Sequence, residues 1–137
     1  MDHPLIRKLR HFVDFNDSEV GALRALSAVQ LPFNPTESLI AAEQDTRGGA
    51  MLLNRGWALR YRLLRDGRRQ ILNFVLPGDF LDPTAFVTGK ADFSVTSITE
   101  GSVSAVDTDA LFRLFDTSTR IAAAFWWNSA HEAAMAR

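Results

Sequence analysis

The chain has 137 residues, 47% hydrophobic and 23% charged, which is enough for one domain with an ordinary buried core. Its net charge of -1 argues against a nucleic-acid-binding domain, and the lack of cysteine excludes disulfides and cysteine-ligated zinc. The start MDHPLIRKLRHF lacks the apolar stretch of a signal peptide, and no apolar run approaches the roughly 20 residues of a membrane span. We therefore expect a soluble, cytoplasmic protein.

Residues 1–29 are predicted to form an N-terminal helical segment. Apolar residues follow Asp17 and Ser18, two candidate N-caps, at roughly helical spacing, and the helical pattern extends over Leu5–Val29. Pro32 and Pro35 then interrupt the pattern. The sequence thus predicts that the helical segment ends before residue 30.

Residues 30–108 are predicted to be a β domain built from about eight short strands. Four glycines recur about every eleven residues, at Gly56, Gly67, Gly78 and Gly89. Turn signals at such spacing indicate an antiparallel sandwich or barrel. Asp66-Gly67 is a strong hairpin signal. The strands that can be assigned are Leu39–Ala42, Ala50–Leu53, Trp57–Leu64, Ile71–Leu76, Phe93–Ile98 and Ser102–Val106.

The strand Trp57–Leu64 alternates between apolar and more polar residues. This period of two predicts one buried and one wet face, with the apolar set Trp57, Leu59, Tyr61 and Leu63 on the buried side. The partner strand Ile71–Leu76 contains more apolar residues, so we expect it to be the more deeply buried of the two.

Residues 109–137 are predicted to form a short helix and the start of a longer one. Asp109 is expected to cap Ala110–Phe115, and the second helix begins near Thr117–Ser118. It contains no Gly or Pro before Arg137, which predicts a chain that ends within or just after a helix.

The long helix carries a candidate dimerisation seam. One stripe has residues spaced by four, three and four, which is typical of a coiled-coil-like contact, and consists of Ile121, Phe125, Asn128 and Glu132. Trp126, from the neighbouring stripe, is added to the predicted dimer interface. Of Trp126 and Trp127, we expect one to dock on the β domain and the other to face a partner. The alternative is a monomer whose helix only covers its own core.

Residues 30–137 resemble the sensor half of a Crp/Fnr-type transcription regulator, a cyclic-nucleotide-binding-like domain. The resemblance rests on Arg55-Gly56, the hairpin DGRRQILNFVLPGDF, the strand SITEGSVSAVD and the helix after TDALFRLF. It implies a mainly β fold with flanking helices, in which an antiparallel, jelly-roll-like β-roll precedes a dimerisation helix. It also implies a homodimer, no enzymatic activity, no cofactor, and DNA binding through a C-terminal domain absent from this chain.

The same resemblance places the ligand pocket, and the sequence departs from the family there. Members that bind cyclic AMP carry a Gly-Glu pair after Gly-Asp-Phe and an Arg-Ser pair at the next strand. Here Asp82-Pro83 and Ala91-Asp92 fall at those positions, and Lys90 is the only cation nearby in sequence. An aspartate would repel the phosphate. The pocket candidates are Gly78, Asp79, Phe80, Asp82, Pro83, Thr84, Ala91, Asp92 and Phe93.

We therefore expect a sensor with a degenerate cyclic-nucleotide pocket, and whether another small effector binds is left open. One alternative is a ligand-free interaction and dimerisation module whose pocket is filled by Phe86 and Phe93. A remote alternative is a cupin-like enzyme, which would need histidines on the barrel strands. His3, His11 and His131 all lie outside the predicted strands, so no metal ligand or catalytic residue is assigned.

Two further sets of polar residues allow two interpretations each. The arginines form either a solvated hairpin face or a contact for an anionic partner; they are Arg47, Arg55, Arg60, Arg62, Arg65, Arg68 and Arg69. Asp79, Asp82 and Asp92 are either turn residues and caps or an acidic patch in the former pocket.

Overall fold

Two antiparallel β-sheets form the centre of the computed structural model, which describes residues 3–45, 49–83 and 88–135. The strands are β1 (Leu31–Phe33), β2 (Ser38–Ile40), β3 (Gly49–Arg55), β4 (Ala58–Leu63), β5 (Arg69–Val75), β6 (Ser94–Ser97) and β7 (Gly101–Asp107). One sheet has the order β1-β7-β3 and the other β2-β6-β4-β5. The prediction of a mainly antiparallel β fold with flanking helices is confirmed.

Among the residues that the structure describes, the helices α1 (Pro4–Leu9), α2 (Asp17–Leu26), α3 (Thr108–Thr117) and α4 (Thr119–Met135) accompany the sheets. They pack against the β1-β7-β3 sheet, which is therefore covered on both faces. Within the described ranges, none of the helices combines the length and apolar character that a bilayer crossing requires.

The strands of this covered sheet supply two separate cores. On β3, Leu52 packs with the helices, whereas Leu53 belongs to the core between the sheets. On β7, Val106 and Val103 divide in the same way. This follows from the alternation of side chains along a strand, and it explains why both strands are nearly continuous in apolar or small residues.

The predicted N-terminal helical segment consists of two helices, which are separated by residues 10–16. The break is set by Asn16, which caps α2 in place of the expected Asp17 or Ser18. Its side chain accepts from the Glu19 N–H at 2.8 Å, and Glu19 Oε1 accepts from the Asn16 N–H at 2.9 Å. This reciprocal capping box stabilises a helix start at residue 17.

A first strand was missed in the sequence because it contains Pro32. The strand β1 lies at the edge of its sheet and pairs with β7, and a residue without an N–H is tolerated at such an edge. The predicted first strand, Leu39–Ala42, corresponds to β2 at Ser38–Ile40.

The β4–β5 hairpin is confirmed, but the first half of β4 turns inward the face opposite to the one predicted. Tyr61, which follows a register shift between Arg60 and Tyr61, is buried as predicted. Ala58 pairs with Val75, and both are fully buried in the core between the sheets. Trp57 is 51% exposed, and the side chain of Arg60 turns inward and is half-buried. β5 is an edge strand with exposed apolar residues at Ile71 and Phe74, so the expectation that it is the more buried strand is wrong.

The turn after β5 requires glycine at position 78. Gly78 has φ 94°, and a Cβ there would lie 2.9 Å from the Pro4 carbonyl oxygen. The turn therefore holds the start of α1 against the β-roll, with no room for a side chain between them.

The first of the two C-terminal helices begins at a different cap from the one expected, whereas the second begins close to its predicted start. Asp107 rather than Asp109 caps α3, accepting from the Ala110 N–H at 2.9 Å. Ser118 separates α3 from α4, and its hydroxyl accepts from the Ile121 N–H at 3.1 Å while donating to Glu19 Oε2 at 2.6 Å. The joint between the last two helices is thus fastened to α2.

Candidate functional site

A cavity of about 560 Å³ lies between the β4–β5 hairpin, the turn after β5 and the last part of α4. Its volume is within the usual range of small-molecule sites. It is lined by Lys8, Arg60, Leu72, Asn73, Phe74, Asp79, Pro83, Phe93, Ser129, His131, Glu132, Ala133 and Met135.

Arg60 forms the inner wall of this cavity. Its Nε and one terminal nitrogen donate to the carbonyl oxygens of Leu81 and Phe80 at 3.0 and 2.7 Å. The other terminal nitrogen donates to Asn73 Oδ1 at 3.1 Å, and the guanidinium lies 5.7 Å from the centre of the Phe93 ring. The side chain thus fixes the turn after β5 to the centre of the second sheet.

The charge of Arg60 is balanced by carboxylates. Burial lowers the pKa of Arg60, whereas Asp79, Glu132 and Asp82 act in the opposite direction. An arginine keeps its proton under these conditions. Asp82 is almost fully buried, so this predicted pocket residue serves as an internal counter-charge of the guanidinium.

Lys8 joins three elements across the cavity. Its ammonium group forms ion pairs with both Asp79 and Glu132, which lie on the turn after β5 and on α4. The second oxygen of Asp79 accepts from the Leu76 N–H at 2.9 Å, which fixes the carboxylate. Lys8 therefore holds the turn after β5 and the long helix together.

The cation that the sequence places beside the pocket, Lys90, is not one of the cations that line the cavity. Lys90 pairs with Glu43, which raises the pKa of Lys90, and it does not line the cavity. Asp92 forms an exposed ion pair with Arg62, at 2.6 Å. Lys90 is the cation nearest in sequence, but the cations that lie at the cavity are Arg60 of β4 and Lys8 of α1.

The structure brings together part of the predicted pocket. Asp79, Pro83 and Phe93 line the cavity, and Gly78, Phe80 and Asp82 lie in or beside the turn that Arg60 holds. Ala91 is buried in the core between the sheets, and Asp92 points to Arg62 instead. Thr84 lies outside the described residues, as do Phe86 and Arg47.

Phe93 does not fill the cavity. The side chain is half-buried, packs against the core between the sheets and forms one wall beside Arg60. A volume of about 560 Å³ is left in front of it. This geometry favours a site for a ligand over a pocket closed by Phe93.

The predicted seam of α4 is the face that packs on its own protomer. Ile121 is 0% exposed, and Phe125 contacts the rings of Phe80 and Phe115 at centroid distances of 6.1 and 5.2 Å. Glu132 pairs with Lys8, and half-buried Asn128 donates to Glu132 at 3.4 Å. The expectation for Ile121 is corrected, because it has no surface for a partner.

The outward face of α4 carries both tryptophans. Trp126 is 67% exposed and Trp127 is 54% exposed, and their rings contact each other edge-on at 5.9 Å. The expectation that one of them docks on the β domain is therefore wrong. Of the five predicted seam residues, Trp126 has the most accessible side chain.

Most of the other predicted arginines are engaged locally. Arg68 pairs with Asp66 at 2.7 Å, Arg55 lies 4.0 Å from Glu100, and Arg69 stacks over the Tyr61 ring at 4.4 Å. In the three described ranges, no three residues of the metal-binding types meet in a cluster. His131 lines the cavity, and His3 caps α1 while its Nε2 donates to Asn54 Oδ1 at 2.7 Å.

Sequence comparison points to one family. The cyclic nucleotide-binding domain family matches residues 31–118. The transcriptional activatory protein AadR of Rhodopseudomonas palustris is 44% identical over 54 residues, which are 39% of this chain and 22% of AadR. The nitrogen fixation regulation protein FixK of Bradyrhizobium diazoefficiens is 39% identical over 66 residues, 48% of this chain and 27% of FixK.

The fold is similar to that of a solved sensor domain. The sensor domain of the transcriptional regulator DNR from Pseudomonas aeruginosa superposes with a TM-score of 0.71 at 14% identity, covering 95% of this chain and 83% of that domain. The alignments with the curated relatives span about a quarter of the length of those proteins.

Proposed function

Because the chain belongs to the cyclic nucleotide-binding domain family and is related to Crp/Fnr regulators, we propose that it is the effector-sensing and dimerisation part of a cytoplasmic, DNA-binding transcription regulator. The family is one of non-enzymatic sensor domains. The observation that carries the proposal is the cavity shared between the β-roll and α4.

The cavity gives an effector a direct route to the long helix. Glu132 on α4 is held by Lys8 and lies near Arg60, so a molecule in the cavity meets the contacts that position α4. A ligand shifts a conformational equilibrium only if it binds the two states with different affinity. A ligand that strengthens the Lys8–Glu132 pair supplies such a difference.

The outward face of α4 is the surface we assign to the dimer. Trp126 and Trp127 are exposed together on it, and large aromatic residues are enriched in the centres of interfaces. A two-fold contact would place the same pair from each protomer in one patch. This assignment replaces the inward stripe that the sequence suggested.

The cyclic-nucleotide site is, in this proposal, no longer functional. Lys8 and Arg60 are surrounded by three carboxylates, from Asp79, Asp82 and Glu132, and both cations already have partners. A cyclic phosphate would need a free cation or several free N–H donors.

A ligand-free dimerisation module is the second candidate function. The closed network of Lys8, Asp79 and Glu132 favours it, because these charges are satisfied without an effector. The open cavity favours the sensor. The two differ in whether any small molecule changes the stability or assembly of the chain.

The test is a transcription reporter in cells. The chain is fused to a DNA-binding domain that occupies its operator only as a dimer, so a reporter response requires dimerisation through the fused chain. We expect a response that Trp126→Glu abolishes, because a charge in an apolar interface is costly. Val29→Glu, an equally exposed apolar site away from α4, is the matched control. A wild-type fusion without a response, or one that Trp126→Glu leaves unchanged, contradicts the proposed interface.

A further inference from the structure

We propose that the cavity between β4–β5 and α4 binds a small, uncharged, mainly apolar molecule with an aromatic ring. The proposal rests on the function proposed above, in which this cavity is the effector site. It follows from the charge balance of the walls, the apolar surface at the opening and the size of the cavity.

The charges disfavour an anionic ligand. Lys8 pairs with Asp79 and Glu132, and Arg60 donates to two carbonyl oxygens and to Asn73. An anion would have to break one of these contacts and would then lie beside the remaining carboxylates, at a cost in free energy. A neutral molecule leaves the whole network in place.

The opening is lined with apolar side chains that water reaches. Phe74 of β5 is 54% exposed and Met135 of α4 is 74% exposed, and both side chains line the cavity. Leu72, Phe93 and Ala133 add further apolar side chains to the lining. An apolar ligand would remove this surface from water, which is favourable in proportion to the area covered.

The walls also contain polar groups that can orient a ligand. Ser129 and His131, both on α4, add a hydroxyl and an imidazole to the lining. A few polar groups within a mainly apolar wall are typical of small-molecule sites. The aromatic rings of Phe74 and Phe93 favour a flat ring, which offers them an offset or edge contact.

Two probes that differ by one charge test the proposal. N-phenyl-1-naphthylamine is neutral, and 8-anilinonaphthalene-1-sulfonate is the same ring system with a sulfonate. Fluorescence titration of the intact chain should show the neutral probe binding about tenfold more tightly than the sulfonate. Glu132→Gln removes one carboxylate and should narrow this ratio by about threefold or more.

A matched pair of variants locates the bound probe. Ala133→Trp places a large ring in the cavity wall and should weaken the neutral probe by about tenfold. Ala130→Trp, on an exposed part of the same helix that does not line the cavity, should change it by less than about twofold.

Three results would overturn the proposal: equal binding of the two probes, no binding of the neutral probe, or equal effects of Ala133→Trp and Ala130→Trp. The outcome is independent of the reporter test. A dimer-dependent reporter together with any of these results leaves the regulator proposal standing and removes the ligand class. If the reporter is silent but the neutral probe binds in the cavity, the ligand class stands and the regulator proposal is removed.

Discussion

Arg60 is the side chain at the cavity whose removal we expect to be most costly. It donates three hydrogen bonds and balances the buried carboxylate of Asp82. We expect Arg60→Met to lower the free energy of unfolding by about 2–3 kcal/mol, because these acceptors lose their partner and the carboxylate its counter-charge. Urea denaturation at neutral pH measures this change.

Arg62, two residues along the same strand, is the matched control. Its ion pair with Asp92 is exposed, and exposed pairs contribute little. Arg62→Met should therefore change the free energy of unfolding by less than about 1 kcal/mol. Equal losses in the two variants would mean that Arg60 has no special structural role.

Phe93 should show an intermediate effect on stability. It packs on the core between the sheets but also borders the cavity, so part of the ring is accessible to water. We expect Phe93→Ala to cost about 1–2 kcal/mol, below the 3–5 kcal/mol range of a fully buried phenylalanine. A loss in that higher range would place the ring in a closed core, with no open cavity before it.

At the level of secondary-structure elements, the contact between α2 and the α3–α4 joint depends on an ionised Glu19. The Ser118 hydroxyl and the Asn16 N–H both donate to its carboxylate, and they lower the pKa of Glu19 below its ordinary value of 4.5. A carboxyl group whose pKa is lower in the folded state than in the unfolded state stabilises the folded state at pH values above the unfolded pKa. The contribution is lost as the pH falls through the lower, folded value.

We therefore expect Glu19→Gln to be less stable than the wild type at pH 7. The difference should narrow as the pH falls below 4.5, because the wild type then loses the same charge. Thermal unfolding across pH 3–7 would measure this difference in stability, and Glu37→Gln, at an exposed site, is the control. A difference that stays constant down to pH 3 would contradict a role for the charge.

Some elements could be predicted from sequence because local signals determine them. The Asp66-Gly67 hairpin, the strand at Ser102–Val106 and the family's order of elements are all confirmed. Alternation on β4 correctly grouped Trp57 with Leu59 and Ala58 with Arg60. It could not show which group turns inward, since that depends on the turn at Phe80–Leu81, whose carbonyls receive the arginine.

For the long helix, too, the sequence predicted which residues share a stripe but not what that stripe contacts. Its spacing identified Ile121 and Phe125 as one stripe, and the stripe exists. Whether a stripe faces its own protomer or a second copy depends on α1 and on the Phe80 turn, which lie more than 40 residues away in sequence. Lys8 was missed because its partners, Asp79 and Glu132, are 71 and 124 residues distant.

For the whole molecule, the distribution of charge decides which ligands can enter. The chain has a net charge of -1, and three carboxylates surround the two cations at the cavity. We expect cyclic AMP and cyclic GMP to bind with dissociation constants above about 100 μM, weaker than about -5.5 kcal/mol. Isothermal titration calorimetry would measure this.

Adenosine is the control ligand for that experiment. It lacks the phosphate, so it should bind no more weakly than cyclic AMP if the carboxylates are what exclude the nucleotide. Low-micromolar binding of cyclic AMP, with adenosine much weaker, would show that the cavity retains a phosphate site.

The small helix α1 has a consequence for how the molecule folds and opens. It has six residues, too few to be stable alone, yet Leu5, Ile6 and Leu9 are fully buried and Gly78 leaves space only for its backbone. We therefore expect it to dock after the folding transition state. In stopped-flow kinetics, Ile6→Val should leave the folding rate nearly unchanged and raise the unfolding rate by about two- to tenfold. Since α1 carries Lys8, the helix that docks last and detaches first also completes the wall of the cavity, so departure of this one short segment would open the cavity before the β-roll itself unfolds.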